Sequence, residues 1–215
     1  MIRNIIEILL KHFGKQGWWP TISENKEDEI AIGAILTQQT SWKNVEKCIE
    51  NLSKANVLDL KRIAEMDLKE LEEKIRPSGF YKLKAKRLKE FAEYIVKNYG
   101  SLRLFFRKPL RECREELLSI KGIGKETADS ILLYAGNKLV FVVDAYTFRI
   151  LTRLGIWKEK FSYEKIREFV EAKLPKDLEI YKETHALFVE LGKNFCKKRP
   201  ACESCPLNRI CKKSF

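Results

Sequence analysis

Apolar residues recur at intervals of three and four along most of the chain, which is the pattern of amphipathic helices. Proline or glycine occupies several of the gaps, where these residues favour turns and helix ends. One apolar run, Leu139–Val143, is too short to found a sheet, and we interpret it as an extended connector. The pattern therefore predicts an all-α protein with helices over residues 1–13, 28–36, 43–54, 58–66, 67–75, 84–99, 110–119, 125–134, 146–154, 163–173 and 178–193.

Composition narrows the class of protein. The 215 residues are 45% hydrophobic and 33% charged, a balance typical of a globular chain with a buried core. No apolar run approaches the roughly 20 residues needed to cross a bilayer, and the N-terminus lacks a secretory cleavage site, so we expect a cytoplasmic protein with no membrane partner. Lysine and arginine total 42 against 30 aspartate and glutamate, a net charge of +12. This excess favours a polyanionic partner such as nucleic acid.

The cysteines point to a metal site near the C-terminus. Four of the six lie within 16 residues, in the order Cys196-x5-Cys202-x2-Cys205-x5-Cys211. In a cytoplasmic chain such a cluster indicates a metal site rather than disulfides. Four thiolates suit either an iron–sulfur cluster or a tetrahedral zinc ion. The other two, Cys48 and Cys113, lie on predicted helices, and we interpret them as packing residues.

The most specific local pattern is LLSIKGIGKETA at residues 117–128. It predicts two helices joined by a hairpin that contains Gly122 and Gly124, because glycine permits tight turns and close approach. The second helix then presents its N-terminal N–H groups outward, where they bind a phosphate. Lys121 and Lys125 add positive charge. The pattern predicts a hairpin that contacts a nucleic-acid backbone.

These residues resemble the endonuclease III superfamily of DNA glycosylases. KGIGKETADSIL resembles its helix-hairpin-helix, and the segment after Gly136, which lacks the usual proline, places the family's aspartate at Asp144. The cysteine spacing is similar to the family's C-terminal [4Fe–4S] loop, with the first interval one residue shorter. The resemblance covers nearly the whole chain. It implies a two-lobed all-α fold, with a six-helix lobe at residues 23–136 and a second lobe formed by 1–22 and 137–215.

The resemblance also implies a type of reaction. Bifunctional members carry a nucleophilic lysine at the second position after the last hairpin glycine, which is Glu126 here. Lys125 lies one residue earlier, rotated by about 100° on the helix. ILTQQTSWKNVEK and IRPSGFYKLKAKRL look most like the monofunctional branch that acts on 3-methyladenine or, in archaea, uracil. We therefore expect a monomeric enzyme that hydrolyses the N-glycosidic bond of a flipped N-alkylated purine or uracil in double-stranded DNA.

Two alternatives stay open. One is a bifunctional glycosylase and lyase acting on oxidised pyrimidines, and the other is a non-catalytic module that binds damaged DNA.

Two carboxylates are the implied catalytic residues. Asp144 would stabilise the oxocarbenium-like transition state and orient the attacking water. It is also well placed to cap the following helix. Glu126 would share the water, contact the flipped base, or only complement the helix dipole.

The remaining implied residues contact the DNA or the extracted base. Trp18, Pro20 and Trp42 would line the base pocket, where an indole stacks on a cationic purine, unless they only pack the core. Gln39, with Gln38 as the alternative, would fill the gap in the duplex, and Phe80 would wedge beside the opposite base. A basic run after the wedge is expected to contact phosphates and consists of Lys82, Lys84, Lys86 and Arg87.

Overall fold

The protein is helical throughout the part that the structure, a computed structural model, describes, namely residues 2–213. No strand occurs in these residues, and 139–143 form an extended connector, which confirms the all-α prediction. The helices are α1 (Ile2–Phe13), α2 (Lys26–Leu36), α3 (Trp42–Lys54), α4 (Leu60–Glu65), α5 (Leu68–Lys74), α6 (Tyr81–Tyr99), α7 (Leu102–Phe105), α8 (Leu110–Ser119), α9 (Lys125–Ser130), α10 (Ala145–Arg153), α11 (Tyr163–Glu171) and α12 (Leu178–Asn194).

The chain divides into two compact units. Trp19–Lys138 forms the first, called here the hairpin unit, and the described residues on either side of it form the second, the terminal unit. The sequence places these boundaries at residues 22 and 136. In the hairpin unit α2 is buried along most of its length and packs against α6 and α9. In the terminal unit α1 and α10 both pack against α12.

Half of these helices begin where a polar side chain accepts a bond from one of the first N–H groups. Asp59 accepts from the Arg62 N–H at 2.8 Å, and Asp177 accepts from the Ile180 N–H at 2.9 Å. Each such cap contributes about 1 kcal/mol to stability. Helix α6 begins at Tyr81, three residues before the predicted start at Lys84.

Three short segments depart from the predicted pattern, two because they are very short and one because it is wound as a π-helix. A 3₁₀ turn (Arg76–Ser78) and the four-residue helix α7 are too short to show a periodicity. The predicted helix over 125–134 is α9 followed by a π-helical turn, Ile131–Ala135, closed by a 3.0 Å bond from the Gly136 N–H to the Ile131 carbonyl. Such turns are frequently found at functional sites.

Within residues 2–213, no helix combines the length and the apolar character that a bilayer-spanning segment requires.

Candidate active site and nucleic-acid interface

Asp144 is held by both of its carboxylate oxygens. Its Oδ1 atom accepts bonds from the Thr147 N–H (2.6 Å) and the Thr147 hydroxyl (2.8 Å), which caps α10. Its Oδ2 atom lies 3.7 Å from Nε2 of His185, and both side chains are buried. This separation is that of an ion pair rather than a direct hydrogen bond.

The charge state of Asp144 follows from these neighbours. Burial acts to raise the pKa of its carboxyl, but His185 and the Thr147 donors outweigh it, so the pKa lies below the ordinary value. The carboxylate is therefore negative at neutral pH, as required of a group that stabilises positive charge.

Sequence reasoning did not single out His185. The residue lies on α12 among apolar neighbours, with the Trp18 ring edge-on at 5.8 Å and the Phe141 ring at 6.5 Å. A histidine on an apolar helix face gives no signal in the sequence, because only the folded chain brings α12 to the start of α10.

The predicted hairpin lies between α8 and α9. Gly122 adopts φ +89°, a conformation that L side chains rarely adopt, and an added Cβ would lie 2.5 Å from Nε of Arg87. Gly124 is the N-cap of α9 with an ordinary extended backbone (φ −87°). Lys121, Lys125 and Glu126 are exposed.

A buried ion pair fastens the two hairpin helices to each other. Asp129 on α9 is fully buried, and its two carboxylate oxygens accept bonds from Arg114 on α8 at 2.7 and 3.0 Å. Two parallel bonds of this kind fix the relative orientation of the two side chains and are stronger than bonds between neutral groups. The sequence analysis assigned no role to Asp129.

The two adjacent glutamines have different environments. The side chain of Gln38 is half-buried and bonded to Gly122, Thr127 and Arg87. Gln39 is exposed, with a left-handed backbone at φ 53°. Phe80 is also left-handed, at φ 45°, and its side chain is 68% exposed. Bulky residues adopt this conformation rarely, and such strain is concentrated at functional sites.

The tryptophans fall into separate clusters. Trp18 contacts His185 within the terminal unit. In the hairpin unit, Trp19 lies against Trp42, with ring centroids 5.1 Å apart, and the Trp19 ring also lies 5.3 Å from that of Tyr134. Pro20 is exposed. A run of two tryptophans in a loop does not show which of them faces which neighbour.

The expectation that all four members of the basic run contact phosphates is wrong for Lys84. This residue is only 2% exposed, and its Nζ atom donates to the carbonyls of Leu36 (2.9 Å) and Ser78 (2.7 Å). Burial lowers the pKa of Lys84. Lys82 and Lys86 are exposed, whereas Arg87 is half-buried.

All six cysteines are free thiols, and Cys48 and Cys113 are buried as predicted. The four C-terminal cysteines are half-buried. The pKa of the Cys205 thiol is raised, first by burial and further by the charges of the other three. Within residues 2–213, no three His, Cys, Asp or Glu side chains are arranged to hold a metal ion.

The cysteine loop is fastened to α10. Nε of Arg149 donates to the Cys196 carbonyl at 2.6 Å, and Arg153 donates to the Cys196 sulfur at 3.4 Å and the Lys197 carbonyl at 2.6 Å. The Arg153 guanidinium thus places positive charge beside the Cys196 sulfur, where it favours the thiolate.

A hairpin that joins helices tied by a buried ion pair, followed by a capped aspartate, defines a helix-hairpin-helix DNA repair protein. Residues 32–176 match the HhH-GPD superfamily of base excision DNA repair proteins, and the chain belongs to this family.

Individual relatives extend over nearly the whole chain. A Methanocaldococcus jannaschii protein, provisionally named a DNA repair glycosylase, is 52% identical over 213 residues, covering 98% of this chain and 96% of the relative. Endonuclease III of Thermotoga maritima is 30% identical over 212 residues, covering 98% and 92%. The protein is a DNA glycosylase.

Solved structures share the fold. The 3-methyladenine DNA glycosylase of H. pylori, bound to 1,N6-ethenoadenine, matches with a TM-score of 0.78 and 34% identity, covering 89% of this chain and 97% of that one. A non-covalent complex of Endonuclease III with DNA matches with a TM-score of 0.82 and 25% identity, covering 99% and 94%. The protein is thus similar to glycosylases solved with DNA and with a modified base.

Proposed function

We propose that the protein is a monofunctional DNA glycosylase that releases an N-alkylated purine from double-stranded DNA. The observation that carries the proposal is Glu126, exposed in the first turn of α9 at the second position after Gly124. A carboxylate at this position offers no amine to form an imine with the sugar, so the strand is not cleaved by β-elimination. Similarity to the H. pylori enzyme with its modified adenine supports the purine substrate.

The proposed chemistry at the sugar centres on Asp144. As the bond from C1′ to the base nitrogen breaks, the sugar gains positive charge, which the ionised carboxylate stabilises. Water then attacks C1′ and its proton passes to the carboxylate, while the base leaves with the bonding electron pair. Glu126 would orient this water or contact the extracted base. Neither step requires a covalent link between enzyme and sugar.

We assign the recognition roles residue by residue. Gln39 fills the gap left by the extracted base, because Gln38 is already engaged in internal hydrogen bonds. Phe80 wedges beside the opposite base. Lys121, Gly122, Gly124 and Lys125 present the hairpin to the phosphate backbone. Trp18, Pro20 and Trp42 remain our candidates for contact with the extracted base, and the contact of Trp19 with Trp42 adds Trp19 to these candidates.

The four C-terminal cysteines fit a [4Fe–4S] cluster. Cys196, Cys202, Cys205 and Cys211 would be its ligands, as four free thiols in one loop that Arg149 and Arg153 fasten to α10. The cluster would supply structural cross-linking of the loop, and no step of base release depends on it. Iron and sulfide analysis with a visible absorption spectrum separates this assignment from zinc, which is colourless.

The decisive experiment uses duplexes that each carry one defined lesion: 1,N6-ethenoadenine, an N-alkylated purine, uracil or thymine glycol. Free base and strand breaks are measured before and after alkali, and borohydride trapping is run in parallel. We expect purine release, breaks only after alkali, and no trapped adduct. Breaks without alkali together with an adduct would establish a lyase. Binding without release of any base would establish a non-catalytic module.

A further inference from the structure

The two residues proposed to enter the duplex lie in short loops of one unit. Gln39 lies in the loop between α2 and α3, and Phe80 immediately precedes α6. Both have left-handed backbones, a conformation that costs roughly 1–2 kcal/mol for a residue with a side chain. Such loops keep a strained shape only where the surrounding structure holds it.

A single buried lysine joins the two loops. Leu36 is the last residue of α2, three residues before Gln39, and Ser78 lies two residues before Phe80. Nζ of Lys84 donates to both of their carbonyls, at 2.9 and 2.7 Å. The charge therefore sits at the C-terminus of α2, where the helix dipole is negative. This contact compensates part of the cost of burying a cation.

Arg87, one turn further along α6, makes a second tie. It donates to Oε1 of Gln38 at 2.8 Å, and Nε2 of Gln38 donates in turn to the Gly122 carbonyl (3.0 Å) and the Thr127 hydroxyl (3.1 Å). The stem of Arg87 lies directly against Gly122, with no room for a Cβ there. Arg87 thus fastens the Gln39 loop to the hairpin.

We propose that Lys84 and Arg87 are positioning residues that hold the Gln39 loop, the Phe80 loop and the hairpin in the one arrangement that opens the duplex. The inference rests on the proposed function, because it assumes that Gln39 and Phe80 enter the DNA. In this role neither cation needs to contact a phosphate. Each acts through another residue, Lys84 through two backbone carbonyls and Arg87 through the amide of Gln38.

Helix α6 provides a matched comparison. Nζ of Lys89 also donates to two backbone carbonyls, those of Ala64 (2.8 Å) and Met66 (2.6 Å). These carbonyls lie in the last turn of α4 and at its C-cap, which carry none of the residues proposed to contact DNA. Lys84 and Lys89 therefore make the same kind of bond on the same helix, and only Lys84 joins the insertion loops.

The test measures duplex opening without catalysis. A duplex carries a tetrahydrofuran abasic site opposite 2-aminopurine, whose fluorescence rises when the neighbouring stack is disrupted. Wild type is compared with Lys84→Met, Gln38→Leu, Arg87→Met and the control Lys89→Met, and melting temperature is recorded for each. We expect Lys84→Met, Gln38→Leu and Arg87→Met to lower the equilibrium constant for opening about tenfold, since each removes a charge-assisted or buried bond. Lys89→Met should open the duplex as wild type does.

The outcomes separate the two proposals. No fluorescence change with wild type would contradict the proposed entry of Gln39 and Phe80, and with it the basis of this inference. A wild-type response that Lys84→Met, Gln38→Leu and Arg87→Met all retain would overturn the inference alone. If Lys84→Met does not fold, Gln38→Leu and Arg87→Met decide, because both positions are only half-buried. If Lys89→Met lowers the opening constant as much as Lys84→Met does, the inference is also overturned, because the effect then comes from a general loss of stability.

Discussion

Nε2 of His185 lies 3.7 Å from Oδ2 of Asp144, and the other oxygen of the same carboxylate caps α10 through Thr147. The aspartate is therefore buried but ionised, with its orientation fixed from two sides. A mobile carboxylate would have to be oriented during each reaction, whereas this one is oriented by the fold.

The first prediction concerns the charge of Asp144. Asn is also a good N-cap, so Asp144→Asn should preserve α10 while removing the negative charge. We expect single-turnover base release to fall by about 10²-fold or more, with binding to lesion DNA within a fewfold of wild type. Release is measured as free base, and binding by fluorescence anisotropy. Unchanged release would rule out Asp144 as the stabilising carboxylate.

A second prediction concerns pH. The pKa of Asp144 lies below its ordinary value, so its contribution to stability is complete above the unfolded pKa of about 3.9 and is lost as pH falls through the folded pKa. In His185→Leu burial is no longer offset by the imidazole, so the pKa rises. We expect the acid limb of the single-turnover rate profile to move to higher pH, after correction for spontaneous depurination.

The matched control for this shift is the other histidine. His12 contacts the rings of Phe13 and Phe195 and lies outside the Asp144 site. His12→Leu should leave the acid limb where wild type has it. If the acid limb moves equally in His185→Leu and His12→Leu, the shift comes from general destabilisation and not from the pKa of Asp144.

The strained wedge gives a third prediction. Phe80 is largely exposed and left-handed, a conformation that asparagine tolerates better than phenylalanine. Phe80→Asn should therefore leave the free energy of unfolding unchanged or raise it by up to about 1 kcal/mol. Base release from a paired lesion should fall, and release from a lesion in an unpaired bubble should not. Denaturant unfolding and parallel kinetics on the two substrates check both parts.

The fourth prediction concerns the ion pair inside the hairpin. Arg114→Leu would leave the Asp129 carboxylate buried without this guanidinium, which should cost about 3–5 kcal/mol of unfolding free energy. Adding Asp129→Leu should recover part of the loss, because the buried charge is then gone. Both values come from denaturant unfolding.

Another ion pair on α8 serves as the control. Arg111 and Glu115 are 88% and 63% exposed, so Arg111→Leu should change the unfolding free energy by no more than about 0.5 kcal/mol. If Arg111→Leu and Arg114→Leu lower the unfolding free energy equally, burial does not determine how much the Arg114–Asp129 pair contributes to stability.

Local chemistry explains what the sequence predicted well. The glycine pattern predicted the hairpin because a left-handed backbone at Gly122 is a property of one residue. Asp144 was predicted to cap α10, and it does, because an N-cap depends only on neighbours three residues away. The sequence also predicted helices that its apolar period marked clearly, but it missed α7 and the π-helical turn.

The basic run shows where sequence reasoning stops. Lys82, Lys84, Lys86 and Arg87 are chemically alike in the sequence, and nothing local indicates that Lys84 points into the core. Its direction depends on carbonyls at Leu36 and Ser78, distant along the chain and brought together by packing.

The sequence by itself determined the helical class, the hairpin, the capped aspartate, the absence of a lysine at position 126 and the grouping of four thiols. Each of these is encoded by residue type and short spacing. Only the tertiary structure decided that His185 faces Asp144, that Trp19 lies against Trp42, and that Lys84 and Arg87 join the insertion loops. These relationships depend on contacts between distant segments, whose geometry is set by how the helices pack rather than by local sequence.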